Sequence, residues 1–180
     1  MKSFLLSLWE VLEVVIIAVV TVMLIRTFLM QPFLVSGASM EPNFSSGNYL
    51  IIDELTYRLR NPQRGEVIVF KSPQSLSTYY IKRIVGLPGE KVVIGGGLVS
   101  VYNQENPKGL KVSESYLPPE LKTAGNLSVD LKDKEYFVLG DNRNYSYDSR
   151  SWGVLKEKYI IGIVRLRLLP VTEIEAFSYN

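Results

Sequence analysis

The hydrophobic pattern of this chain changes period once, at Gln31-Pro32, and that change limits the folds open to it. Before it, Val14 to Ile25 runs Val-Val-Ile-Ile-Ala-Val-Val-Thr-Val-Met-Leu-Ile without a charged residue, and Leu24, Phe28 and Leu29 carry the apolar character to Met30. A bilayer core of roughly 30 Å needs about 20 mostly apolar helical residues. Residues 11–30 meet that length, with Glu13 and Arg26 near the ends, where long side chains reach the interface. A buried core helix would also suit the shortness of the uncharged run. A cleaved secretory signal is disfavoured, because only Lys2 precedes acidic Glu10 and Glu13. The favoured reading is a short tail, 1–10, then a retained transmembrane anchor, 11–30. The charges at Lys2, Glu10, Glu13 and Arg26 set no orientation.

After Pro32 the period becomes that of strands. Tyr49 to Ile52, Val67 to Phe70, Tyr79 to Val85, Lys91 to Ile94, Leu98 to Tyr102 and Tyr136 to Leu139 are short β-branched or aromatic runs bounded by Gly, Pro, Asn or Asp. Ile160 to Leu169 is a longer strand, with Arg165 and Arg167 on one face and Leu166 and Leu168 on the other. After residue 60 the only helical turn expected is around Leu117 to Leu121. Residues 31–180 therefore read as a mainly β domain of antiparallel strands. Within it, 91–135 reads as a hairpin and loop insertion. Gly95-Gly96-Gly97 marks the hairpin tip, and polar Glu105 to Asp133, with Pro107, Pro118 and Pro119, reads as a surface excursion without catalytic residues.

Composition narrows the chemistry. At 180 residues the chain fits one domain with a short appendage, and a formal charge of +2 from scattered basic residues points to no nucleic-acid partner. The chain has no Cys and no His, which excludes disulfides, thiolate chemistry and the usual zinc sites. No acidic loop has EF-hand spacing, so no metal and no cofactor are expected. A serine nucleophile in this chain cannot use the customary histidine base, which leaves a lysine held neutral.

Three segments carry residues suited to that chemistry. Ser39 lies in Val35-Ser36-Gly37-Ala38-Ser39-Met40-Glu41-Pro42, where Gly37 permits a tight turn and Pro42 restricts Glu41. Taken alone, such a serine is most often a turn residue. Lys82 lies in the apolar strand Tyr80-Ile81-Lys82-Arg83-Ile84-Val85. Alternation there sends Lys82 and Arg83 to opposite faces, so that one of them points away from solvent or into a cleft. The commoner role for such a lysine is to blunt a sheet edge. A lysine of pKa about 10.4 is neutral in about one molecule in 2,500 at pH 7, and lowering it by about 3 units means disfavouring the ammonium by roughly 4 kcal/mol, which apolar burial can supply. The third segment, Gly140 to Gly153, is dense in hydrogen-bonding side chains. Asp148 and Arg150, two apart, would share a face and pair in an extended segment, although composition alone suggests an Asx-rich turn.

Ser39-Met40-Glu41-Pro42, Tyr80 to Gly89, and Gly140-Asp141-Asn142-Arg143 with Ser146, Asp148, Ser149 and Arg150, in that order behind one apolar segment, resemble the bacterial type I signal peptidases. The resemblance runs from the anchor to about Gly162. It implies a mainly β domain of coiled antiparallel sheets with one N-terminal transmembrane helix. It also implies a single-pass protein of the bacterial cytoplasmic membrane, with the catalytic domain on the extracytoplasmic side. Its substrates would be preproteins with small residues at positions −3 and −1, met at the lipid bilayer. By resemblance Ser39 is the nucleophile, Lys82 the general base, Ser146 the hydroxyl that orients the lysine, and Asp148 with Arg150 a supporting ion pair. Asp141, Asn142 and Arg143 take structural roles. Some members place an oxyanion-hole serine two residues before the nucleophile. That position is Gly37 here, with Ser36 one place further back, so the Ser39 backbone N–H is expected as the main donor. Val35, Gly37, Met40, Tyr80 and Ile81 are expected to contact substrate. Asn43, Asn48 and Glu90 depart from the family's commoner Thr, Asp and Asp.

Two other readings compete. A Ser/Lys protease of the self-cleaving repressor type shares this fold, but the apolar segment and the absence of an amino-terminal DNA-binding domain argue against it. A catalytically dead, membrane-tethered β domain acting as a binding protein is opposed by the intact Ser39, Lys82 and Ser146.

Overall fold

The computed structural model describes the backbone of residues 2–28 and 30–179, and the side chains of 9–23 and 31–179. Helix α1 (Lys2–Phe28) begins nine residues before the expected anchor, and strand β1 (Met30–Leu34) takes that anchor's last residue. Among the described residues no helix is long and apolar enough to cross a membrane. The described side chains of α1 cover only 9–23, fewer than the roughly 20 a span requires. Residues 24–30 of the expected anchor lie outside the described side chains.

The rest is mainly antiparallel β structure. Strand β2 (Tyr49–Asp53) is followed by a helical turn, α2 (Thr56–Leu59), and then β3 (Val67–Lys71) and β4 (Tyr79–Gly86). Next come β5 (Lys91–Gly95), β6 (Leu98–Tyr102), β7 (Leu110–Lys111) and β8 (Leu127–Asp130). Strand β9 (Glu135–Leu139) precedes α3 (Ser149–Trp152), β10 (Leu155–Lys156), β11 (Ile160–Leu169) and β12 (Glu175–Ala176). The large sheet has the order β1-β2-β11-β3-β4-β9-β10, with β12 added to β11, and the small sheet is β7-β6-β5-β8. The one-turn helix α3 was not expected, and Leu117 to Leu121 forms a turn.

Strand β3 explains why the large sheet can bury charge. Val67 and Val69 join a cluster with Val35, Met40, Phe44, Leu50 and Ile52, while Ile68 and Phe70 join another with Ile84, Tyr136, Val138 and Leu155. Both faces of the sheet are therefore covered here, which a near-continuous apolar run requires. A third cluster seats the small sheet (Val92, Ile94, Val99, Val101) against Val85, Phe137 and Leu139. Gly86 lies at that junction, where an added Cβ would strike Val92 and Leu131. The expected sharing of one face by Arg165 and Arg167 is altered by irregularities in the β11 register at Val164/Leu166 and Arg167/Leu169. Arg165 reaches Asp53 and Thr56, whereas Arg167 reaches Asn43, Glu173 and Glu175.

Candidate active site

Ser39 sits in the loop between β1 and β2. Gly37, two residues before it, adopts φ +99°, a conformation an L side chain rarely takes. Met40 just after it is 1% exposed in the core, forms a bridge with Phe44, and accepts the Phe44 N–H at 2.9 Å. This anchored turn holds a serine at the surface on a fixed base.

Lys82, in the middle of β4, donates from Nζ to Ser39 Oγ at 2.7 Å and to the Ile81 carbonyl at 2.9 Å. The residue is only 3% exposed. Burial drives its pKa down, the nearby charges of Asp148 and Asp141 partly offset that, and the result is about 8. An amine at pKa 8 is neutral in about one molecule in ten at pH 7, against about one in 2,500 for a free lysine.

The Gly140 to Arg150 segment closes the site from the other side. The Asn142 N–H and side-chain Nδ2 donate to the carbonyls of Ser39 (3.1 Å) and Ala38 (3.0 Å), fixing the Ser39 loop from behind. Gly140 packs so closely that a Cβ there would overlap Ser146 and the Ser39 carbonyl. Asp148 and Arg150 pair bidentately, with both contacts at 2.8 Å. The pairing geometry is not that of an extended segment: Asp148 is the N-cap of α3, and its carboxylate accepts the Arg150 N–H (3.2 Å) and the Gly140 N–H (3.0 Å).

Other expectations are corrected. Ser146 Oγ is buried and makes no hydrogen bond among the described residues, so the amine takes its orientation from the Ile81 carbonyl and Ser39. Of the residues expected to touch substrate, Val35, Tyr80 and Ile81 line a cavity of about 120 Å³ beside Ser39 and Lys82, together with Phe33, Ser36 and Tyr79. Met40 belongs to the core, because the turn must be anchored by an apolar side chain. Gly37 is outside the cavity lining and serves the turn. Among the described residues the Ser39 N–H has no internal acceptor, as an oxyanion donor requires.

Sequence reasoning missed a second charged cluster behind this one. Arg83 is nearly as buried as its neighbour, at 7% exposure, and pairs bidentately with Asp141 at 2.8 and 2.6 Å. Burial opposes its charge, but the hydrogen bonds and charge of Asp141 more than compensate and its pKa is raised. Asn43, noted only as a departure, donates to Asp141 (2.8 Å) and to the Tyr116 carbonyl (2.9 Å). The Tyr116 ring lies 3.9 Å from the Arg83 guanidinium carbon. Fully buried Arg143 donates to the Gly140 carbonyl, Thr123 and Tyr116 and pairs with Glu114 at 2.6 Å. The 105–133 excursion thus supports the site, and only the pairing of Asp141 with a buried cation could have been suspected beforehand.

The sequence matches the family described as "Signal peptidase, peptidase S26" over residues 8–169. It is 36% identical over 172 residues to the probable signal peptidase I-2 of Synechocystis, covering 92% of this chain and 75% of that protein. Signal peptidase I of Bacillus licheniformis is 34% identical over 178 residues, covering 93% and 92%. Signal peptidase IB of Staphylococcus aureus is 30% identical over 185 residues, covering 95% and 94%. With a family match spanning most of its length, the chain belongs to the signal peptidase family, peptidase S26.

Proposed function

We propose that this member of the signal peptidase family, a serine endopeptidase that removes signal peptides from exported preproteins, works through Ser39 as nucleophile and Lys82 as general base. The observation that carries the reading is the 2.7 Å contact from a buried amine, of pKa about 8, to the serine hydroxyl. Neutral Lys82 takes the Ser39 proton as Oγ attacks the scissile carbonyl. The developing oxyanion is met by the Ser39 N–H. On collapse the C–N bond breaks, the ammonium returns its proton to the leaving amine, and Ser39 carries the acyl group. Water, deprotonated by Lys82, then releases the signal peptide and the serine. Asp141, Asn142, Arg143, Asp148 and Arg150 hold the two reacting side chains in register, and Ser146 fills the space beside Gly140.

The preprotein lies as an extended strand beside Val35 and Tyr80-Ile81. The small cavity there suits the small residues expected at −3 and −1. Helix α1 anchors the enzyme in the bacterial cytoplasmic membrane as a single pass, with the catalytic domain outside the cytoplasm. Supporting this, Val11, Val14, Ile16, Ile17, Val19 and Met23 are all exposed on a helix that is apolar around its circumference, a surface that needs an apolar surrounding.

The test is cleavage of an Ala-x-Ala preprotein by Ser39→Ala and Lys82→Ala in membranes. Both should lose activity and neither should form an acyl-enzyme. Wild-type rates in either variant would remove the dyad.

A further inference from the structure

The segment after β11 folds back onto its own strand. β12 pairs with Leu166 and Arg167, and the Phe177 N–H donates to the Arg165 carbonyl at 2.8 Å. Arg167 joins this strap to the turn that carries Ser39. Its Nε donates to the Glu173 carbonyl (2.8 Å) and its Nη2 to the Glu175 carboxylate (2.6 Å), while Nη1 reaches across to the Asn43 carbonyl (2.7 Å). The guanidinium carbon lies 5.7 Å from the Phe177 ring centroid and 5.9 Å from that of Phe44, and the two rings are 4.9 Å apart.

These contacts converge on residues 40–44. Phe44 closes the turn through its bond to the Met40 carbonyl, one residue beyond Ser39. Asn43, whose carbonyl Arg167 takes, uses its side chain on Asp141. The strap therefore braces both the base of the nucleophile turn and its link to the Asp141–Arg83 pair. Phe177 lies beyond the residues matched by the family.

We propose that Arg167 and Phe177 are positioning residues for Ser39, clamping the Met40–Phe44 turn so that Oγ and the backbone N–H stay aligned. This rests on the reading of Ser39 as nucleophile. A clamp of this kind acts on the chemical step, because small displacements of a reacting group cost rate more than substrate affinity. Lysine cannot replace Arg167, since one ammonium cannot serve three acceptors in a planar fork while lying against two rings.

The experiment compares the full-length wild type with Phe177→Ala, Phe177→Leu and Arg167→Lys on a preprotein substrate, at a temperature where circular dichroism shows each folded. Phe177→Ala and Arg167→Lys should lower kcat about tenfold with KM within about twofold, and Phe177→Leu, which refills the space, should recover most of kcat. The proposal is overturned if the first two lower the unfolding midpoint yet keep wild-type kcat, or if they change KM alone. Should Phe177→Ala fail to fold, a wild-type kcat in Arg167→Lys still overturns it. Ser39→Ala run alongside separates the two levels: residual cleavage there refutes the nucleophile reading, whereas an inactive Ser39→Ala beside unaffected strap variants refutes only the clamp.

Discussion

Lys82 and Arg83 are adjacent on β4, and both are almost wholly buried, but the two sides of the strand treat their charges differently. On the Asp141 side, Arg83 meets a bidentate carboxylate, the Gly65 carbonyl at 2.8 Å and an aromatic face, and it stays charged. On the Ser39 side, Lys82 makes no ion pair among the described residues: it meets a hydroxyl and a carbonyl, and the Tyr80 ring with its centroid 5.6 Å away. Burial then works against the ammonium, and Asp148 and Asp141 act on it only from a distance. The same apolar sheet thus yields a fixed structural cation and a titratable base. What separates them is whether a carboxylate is in contact, since a buried charge persists only when it is paired.

The comparison is most severely tested by Lys82→Arg. A guanidinium cannot lose its proton near neutral pH, so kcat/KM should fall by about 10³-fold or more. Activity within about tenfold of wild type would mean that no deprotonated base is needed at this position.

Asp141→Asn attacks the other side. It leaves Arg83 buried without its counter-charge and should cost about 3–5 kcal/mol in urea denaturation. It also removes one of the two charges that hold the Lys82 pKa up, so the pH profile of the surviving activity should move to lower pH. A loss of stability below about 1 kcal/mol would show that the pair is not needed to keep Arg83 buried.

The third test is thermodynamic. The Lys82 pKa is depressed from 10.5 to about 8 on folding, so the folded state carries an unfavourable charge at pH below 8. The shift corresponds to roughly 3 kcal/mol, present in full below pH 8, fading between 8 and 10.5, and absent above. Lys82→Met should therefore be inactive yet more stable at pH 7, by about 1–3 kcal/mol once the lost hydrogen bonds are counted. Urea midpoints at pH 7 and pH 10.5 measure this, and an equal difference at both would contradict it.

The smallest effect is the wild-type pH profile itself. kcat/KM should rise about tenfold per pH unit on the acid side and level off above pH 8, as the neutral amine accumulates. A plateau already reached at pH 6 would place the base elsewhere.

Much of this was legible in the chain. The runs Val67-Ile68-Val69-Phe70 and Tyr79 to Val85 each read as a strand. The order of the Ser39, Lys82 and Gly140–Arg150 segments pointed to the family. Alternation put Lys82 and Arg83 on different faces but could not reveal that both faces were covered, because the covering elements come from residues 35–44 and 136–155. Met40 looked like a substrate contact because it adjoins Ser39, and it became core because the turn needs an apolar anchor. Ser146 was assigned a bond to the lysine, and close packing against Gly140 leaves its hydroxyl without one. Asn43 read only as a departure from the family's commoner Thr, although it links the Ser39 turn to Asp141.

The sequence alone determined that a period-two domain follows an apolar segment and that no histidine or cysteine could take part, and it made a lysine the most plausible base for a serine nucleophile. Those are local properties of composition and spacing. Tertiary structure decided which of two neighbouring cations would be left without a carboxylate. Ser39 and Lys82 are 43 residues apart, and Arg83 and Asp141 are 58 apart. A pKa depends on everything within a few ångströms of the charge, and only the folded sheet brings those groups together.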